Sequence, residues 1–309
     1  MIDVNKSNGL LNFQQKYLGR KINMRKIQKL SLSLLSLIAV SNWNTMTACE
    51  GDHMNIRVDG GESSEVSAAY SGNYHKIYAG TVKFTGNESG MTCLKIKGGK
   101  AQFNGPTEEM PQAIKFDVTP GEGDVVDGDH VVVEVLTNGA AHDNLHNTTL
   151  PTLHMQTDGD VIANSNTVVT ISGLDCGSGA LNLYSGDVTD PDYIGVTVPA
   201  DLSTASNPIN VYGETHFGAS ASSKLTTGQT TVKDSGLLEV VAATAGAAPG
   251  AVVVENGAIL EVAGNTIIPA QGDAGDVFTG TLMFENNSTL WLRNNVVWDR
   301  DILGVGVAN

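Results

Sequence analysis

Three stretches decide the fold: Thr231–Val240 (TVKDSGLLEV), Val252–Val262 (VVVENGAILEV) and Leu282–Leu292 (LMFENNSTLWL). Each reads as a short apolar strand, an acidic residue, a polar turn pair and a second strand. The turn pairs are Ser235-Gly236, Asn256-Gly257 and Asn286-Asn287, and the second gap is wider than the first. Asn and Gly tolerate the positive φ that tight corners require. A unit recurring roughly every 20–50 residues, too small to bury its own apolar face, is the signature of stacked coils. The repeat predicts an all-β parallel β-solenoid with loops inserted at its corners. A β-sandwich made of several hairpins is the alternative.

The same texture extends outward. Thr81–Phe84 (TVKF), Leu94–Lys97 (LKIK), Ile114–Val118 (IKFDV), Val131–Leu136 (VVVEVL), Thr167–Ile171 (TVVTI) and Ala180–Tyr184 (ALNLY) are runs rich in Val, Ile, Leu, Thr and Phe. Gly, Asn, Asp or Ser breaks each run, as expected of strands and turns. No segment after residue 50 carries a capped helical periodicity. Residues 165–309 hold the clearest repeats, and residues 49–164 read as a β-rich acidic region.

Residues 1–48 are different. Seven of the chain's 18 basic residues fall at or before Lys29, and Asp3 is the only acid before Glu50. Leu30–Val40 (LSLSLLSLIAV) then runs without charge. A basic segment before a short apolar one is the pattern of a secretory signal, and about 20 apolar residues would be needed to span a bilayer. Cleavage is expected after Ser41 or Ala48, with Met24 as a second possible start. Met46–Cys49 also reads as a loose lipobox with Cys49 lipidated, and a short buried core helix is the structural alternative.

Residues 49–309 carry 11 basic and 32 acidic side chains. That balance argues against nucleic acid or an anionic membrane surface, both of which need Lys and Arg at the interface. Export brings the chain into an oxidising compartment, where Cys93 and Cys176 could pair or remain two thiols.

Between Lys115 and Lys224 there is no Lys or Arg, while carboxylates recur throughout. Gly121–His130 (GEGDVVDGDH) places Asp124, Asp127 and Asp129 on a Gly-rich stretch, and Asp158-Gly159-Asp160 repeats the theme. Hard oxygens on a pliable backbone suit Ca²⁺, though the spacing is not that of an EF-hand. A solvated acidic rim is the alternative. His142–His154 (HDNLHNTTLPTLH) has i, i+4 histidines that a helix would aim at one zinc ion. Pro151 and the Asp143 neighbour favour a polar loop instead. Asp190 and Asp192 flank Pro191, a turn rather than a catalytic carboxylate pair. Ser220–Ser223 forms no nucleophile elbow. No residues are assigned to catalysis. Tyr184, Tyr193, Tyr212, Trp291 and Trp298 are candidates either for stacking on sugars or for filling the core.

Thr281–Leu292 (TLMFENNSTLWL) and Val254–Val262 (VENGAILEV) resemble the passenger regions of bacterial autotransporters and polymorphic outer-membrane proteins. Phe84–Asn87 (FTGN) and Phe284–Asn287 (FENN) match that family's Phe-x-x-Asn motif. Asn256–Ile259 (NGAI) and Ser178–Leu181 (SGAL) are similar to its Gly-Gly-Ala-Ile/Leu motif. The extended basic leader is also similar. The resemblance implies a parallel β-helix, export to the cell surface or outer membrane, and a structural or adhesive role toward a host or cell-surface glycan or protein. The family ends in a membrane β-barrel closed by a terminal aromatic, whereas this sequence ends Gly304–Asn309 (GVGVAN). A barrel, if used, is expected to be missing or separately encoded. The other expectations are a secreted carbohydrate-active enzyme on the same scaffold, a Ca²⁺-stabilised binding module, and a passenger fragment without a role of its own.

Overall fold

In a computed structural model, the structure describes residues 54–58, 61–77, 79–104, 109–118, 131–136, 146–164, 167–175, 177–185, 195–198, 201–217, 223–241, 246–264, 267–301 and 303–304. The leader, the segment with Asp124, Asp127 and Asp129, His142, Cys176, Asp190 to Tyr193 and Ser220 to Ser222 lie outside these residues. All described residues fall in one compact unit, 41–188 with 193–309.

Among the described residues there is no α-helix, and every strand pairing is parallel. The chain coils through three faces. The second face is an 11-stranded sheet that runs from Ser63–Val66 to Leu303–Gly304. The first face has six strands, from Met54–Arg57 to Leu174–Asp175. The third has seven, from His146–Leu150 to Thr289–Arg293. Partners on a sheet are never neighbours in sequence, which excludes hairpins and therefore the sandwich. The fold is a parallel β-solenoid. The second face continues unbroken across residue 164, from Gly159–Ala163 to Leu181–Ser185.

Register explains the repeat. Ile209, Thr230, Val252 and Leu282 are successive partners on the second face. The first two steps are nearly equal and the step from Val252 to Leu282 is longer, yet the pairing does not change. The extra length is therefore a loop insertion. The corners that follow close as tight turns: Gly236 N donates to Lys233 O at 2.7 Å, Ala258 N to Glu255 O at 3.0 Å and Ser288 N to Glu285 O at 3.2 Å. Positive φ falls on Ser235 (63°), Gly257 (81°) and Asn287 (60°). The first turn pair is thus Asp234-Ser235, one position earlier than the sequence suggested. Gly236 follows the corner, where a Cβ would lie 2.4 Å from Val211 O.

Inside, side chains stack in columns. Val133, Val161, Leu183, Val211, Val232, Val254 and Phe284 are consecutive partners, all buried. Phe84 and Phe103 stack with ring centroids 5.1 Å apart. Phe84 and Phe284, the first residues of the two Phe-x-x-Asn motifs, both end a strand and fill the core. Each fully buried Val, Leu or Phe contributes about 1.5–3 kcal/mol. Coil on coil, the backbone satisfies itself through bonds to the coils before and after.

After Leu174–Asp175 the first side continues without regular strands. It is still bonded coil to coil: Leu202 N to Lys224 O (2.7 Å), Leu225 N to Ala247 O (2.8 Å) and Ala248 N to Val277 O (2.8 Å). Gly228, Gly250 and Gly280 stack there. A Cβ on Gly250 would sit 1.9 Å from Gly228 O, and one on Gly280 2.0 Å from Gly250 O. Cys93 is disulfide-bonded and fully buried on the first face, so it is not the free thiol that the sequence left open.

Candidate functional site

Parallel register carries the outward side chains into columns as well. On the second face Asp160, Asn182 and Asn210 are consecutive partners. Asn210 Nδ2 donates to Asn182 Oδ1 (2.8 Å), and Asn182 Nδ2 donates to Asp160 Oδ1 (2.9 Å). The chain of amides ends on a carboxylate, which orients every group in it. Two positions along each strand, Tyr184 and Tyr212 stack with centroids 4.5 Å apart and planes 6° from parallel. That separation matches the roughly 4.7–4.9 Å between neighbouring strands. Tyr212 remains 38% exposed. Burial, then the charge of Asp160, pushes the Tyr184 phenol up to about 12, so it stays a neutral donor.

The strip is bounded by charge on both sides. Before it, Glu134 accepts from Lys100 Nζ (2.7 Å), Gln102 Nε2 (2.8 Å) and Asn164 Nδ2 (2.8 Å). Burial works against the charge on Glu134, but the bonds from Gln102, Lys100 and Asn164 hold its carboxyl below the usual range. Beyond it, Lys233 Nζ pairs with Glu255 Oε1 at 2.6 Å.

The third face carries a denser ionic column, in which His216, Glu239, Glu261 and Trp291 are successive partners. His216 donates through Nε2 to Glu214 (2.7 Å) and through Nδ1 to Glu239. Burial disfavours the imidazolium, but the two glutamates raise it to about 10. Glu239 is held below the usual range; burial opposes this, and His216 and Arg293 outweigh it. Burial, then the neighbouring Glu239, raises Glu261 to about 7, although Arg293 pairs with it. Glu261 is only 3% exposed, and the Arg293 guanidinium also stands 5.7 Å from the Trp291 ring centroid.

The candidates from sequence separate as follows. Tyr184 and Tyr212 come together, while Trp298 packs near Phe278 and donates Nε1 to Arg300 O (2.7 Å). Trp291 is 40% exposed on the last strand of the third face. The helical zinc geometry is overturned, because His146–Leu150 is a strand on the third face and Pro151 turns the chain onto the first. His154 there is buried, with Nδ1 at 2.8 Å from Asp175, and burial lowers its pKa despite that carboxylate. Asp158 Oδ1 accepts from Ala180 N at 2.7 Å, a corner bond. Among the described residues no group of three or more His, Cys, Asp or Glu is arranged around a common metal position. Asp124, Asp127 and Asp129 lie outside the described residues. The amide ladder was missed from sequence. Its signal was that Asn182 and Asn210 share one offset with Tyr184 and Tyr212. Compared with family models, with characterised proteins and with solved structures, the chain matches none.

Proposed function

We propose that the chain is an exported, adhesin-like β-solenoid that binds an extended glycan along its second face. The observation that carries this reading is the flush Tyr184–Tyr212 stack beside the Asp160–Asn182–Asn210 ladder. Stacked face to face, the two rings offer their edges and hydroxyls, which with the pre-oriented amides address the hydroxyls of a sugar. Repetition at strand spacing suits a polymer more than a small molecule. The basic leader and the Phe-x-x-Asn corners support export and a passenger-like role. The third-face carboxylates would favour a carbohydrate-active enzyme, since their pKa values are pushed apart. Glu261, however, is sealed beneath Arg293, where no glycosidic oxygen reaches it. Binding without turnover is therefore the preferred reading.

A glycan array followed by calorimetry on the best binder tests it. Tyr212→Ala is expected to weaken binding at least tenfold, about 1.4 kcal/mol, with melting temperature little changed. An array without binders, or Tyr184→Ala and Tyr212→Ala proteins that bind like wild type, rejects the reading. Protease shaving of intact cells checks the outward location by releasing peptides of residues 49–309.

A further inference from the structure

Glu88 lies at the corner between strands Thr81–Phe84 and Met91–Ile96. The corner is pressed between two others. A Cβ on Gly86 would be 2.7 Å from Ser67 O, and one on Gly90 2.4 Å from Tyr70 O, so the preceding coil lies directly against it. On the other side Glu88 N donates to Glu109 O at 2.8 Å. Between these layers the Glu88 side chain is 1% exposed, and neither Oε1 nor Oε2 has a hydrogen-bond partner. No Lys, Arg or His pairs with it among the described residues.

A buried carboxylate in this state is costly; even after relaxation the desolvation of such an ion amounts to roughly several kcal/mol. Its nearest charged neighbour worsens matters, because Glu109 is a second carboxylate. Burial first, then Glu109, pushes Glu88 up to about 7. Protonation removes the charge but makes no link between the coils. A positive ion satisfies both oxygens and cancels the repulsion. Hard carboxylate oxygens, with backbone carbonyls and water able to complete the shell, match the demands of Ca²⁺. We propose that Glu88 and Glu109 hold a Ca²⁺ ion at this corner and so staple two successive coils of the solenoid. These two residues are other than Asp124, Asp127 and Asp129.

Tyr74 supplies the reporter. It is buried, packs edge-on to Tyr70 with centroids 4.7 Å apart, and lies near enough to Glu88 to feel its charge. Tb³⁺, which replaces Ca²⁺, is excited through a tyrosine in contact with its site. The experiment titrates the purified chain with Tb³⁺ under tyrosine excitation, displaces it with Ca²⁺, and follows melting with and without Ca²⁺. The proposal expects saturable emission that Ca²⁺ displaces, with affinity on the order of 10⁻⁴–10⁻³ M, and a melting temperature raised by several degrees. Glu88→Gln and Glu109→Gln each remove the Ca²⁺ shift, and Tyr74→Phe cuts the emission several-fold. Replacing Asp124, Asp127 and Asp129 together by Asn leaves both signals intact. Glu88→Gln removes an unpaired buried charge, so its melting temperature without Ca²⁺ is expected to equal or exceed that of wild type. No Ca²⁺ shift in wild type, a full shift in both Gln variants, or loss of both signals in the triple Asn variant overturns the proposal.

Discussion

Glu261 and His216 are the residues whose protonation most affects the third face, and both are pushed upward. Glu261 moves from 4.5 to about 7, so between those values the folded protein holds a proton that the unfolded chain releases. Stability therefore falls as pH rises through that window. The imidazolium of His216, raised from 6.5 to about 10, contributes stability that is full below 6.5 and lost as pH passes 10. Glu239, held below 4.5, acts oppositely and loses its contribution in acid. Urea unfolding between pH 4 and 10.5 should show a first decline across roughly pH 4.5–7 and a second running on from about 6.5 to 10. Glu261→Gln should shrink the first decline to the share that Glu88 contributes and leave the second. An unchanged first decline in that variant would mean that another group is responsible.

At the scale of the strand, the apolar column of the third face contains one misfit. Val196, Thr215, Leu238, Leu260 and Leu290 are successive partners, and Thr215 is 2% exposed with no partner for Oγ1. Thr215→Val should raise stability by about 1 kcal/mol, by removing an unsatisfied hydroxyl. Leu238→Ala, in the next coil, should lower it by about 2–5 kcal/mol. Chemical denaturation distinguishes the two signs. The same columns show what could be read beforehand. The last strands on the second and third faces were legible because three successive pairs meet at a corner with Ser235, Gly257 or Asn287 in the left-handed region. Beyond Leu174–Asp175 the first side was not, because 201–205, 224–227 and 246–248 hold coil-to-coil bonds with few regular strand residues. Its trace was Gly228, Gly250 and Gly280, which keep the same steps as Ser235, Gly257 and Asn287. The tyrosines were legible singly but not as a pair, since their meeting depends on a step of 28 residues, longer than the two steps that follow it on this face. Glu88 was not legible at all; its isolation comes from corners of neighbouring coils closing over it.

Across the whole molecule, stability is local in a stack where each coil touches only its neighbours. Arg300 tests this at one end. Its guanidinium is buried against Asp276, with Nη1 at 2.8 Å and 2.9 Å from the two carboxylate oxygens, and it also donates to Phe278 O (2.7 Å) and Gly280 O (3.0 Å). Arg300→Met leaves Asp276 buried without its cation, a loss of about 3–5 kcal/mol. Native-state hydrogen exchange should then accelerate in Leu282–Phe284 and Thr289–Arg293 and stay slow in Val131–Val135 and Gly159–Ala163. Uniform acceleration would mean that the solenoid unfolds as one unit.

Arg300 also gives the stack a direction. Val277 O accepts from the coil before it, whereas Phe278 O and Gly280 O are answered by a side chain rather than by another turn of backbone. That corner is plugged against further growth. Strand Thr289–Arg293 still offers its outer edge, with Trp291 and Leu292 partly bare. Leu303–Gly304 likewise ends the second face among the described residues, so an added strand would meet open edges beside one plugged corner.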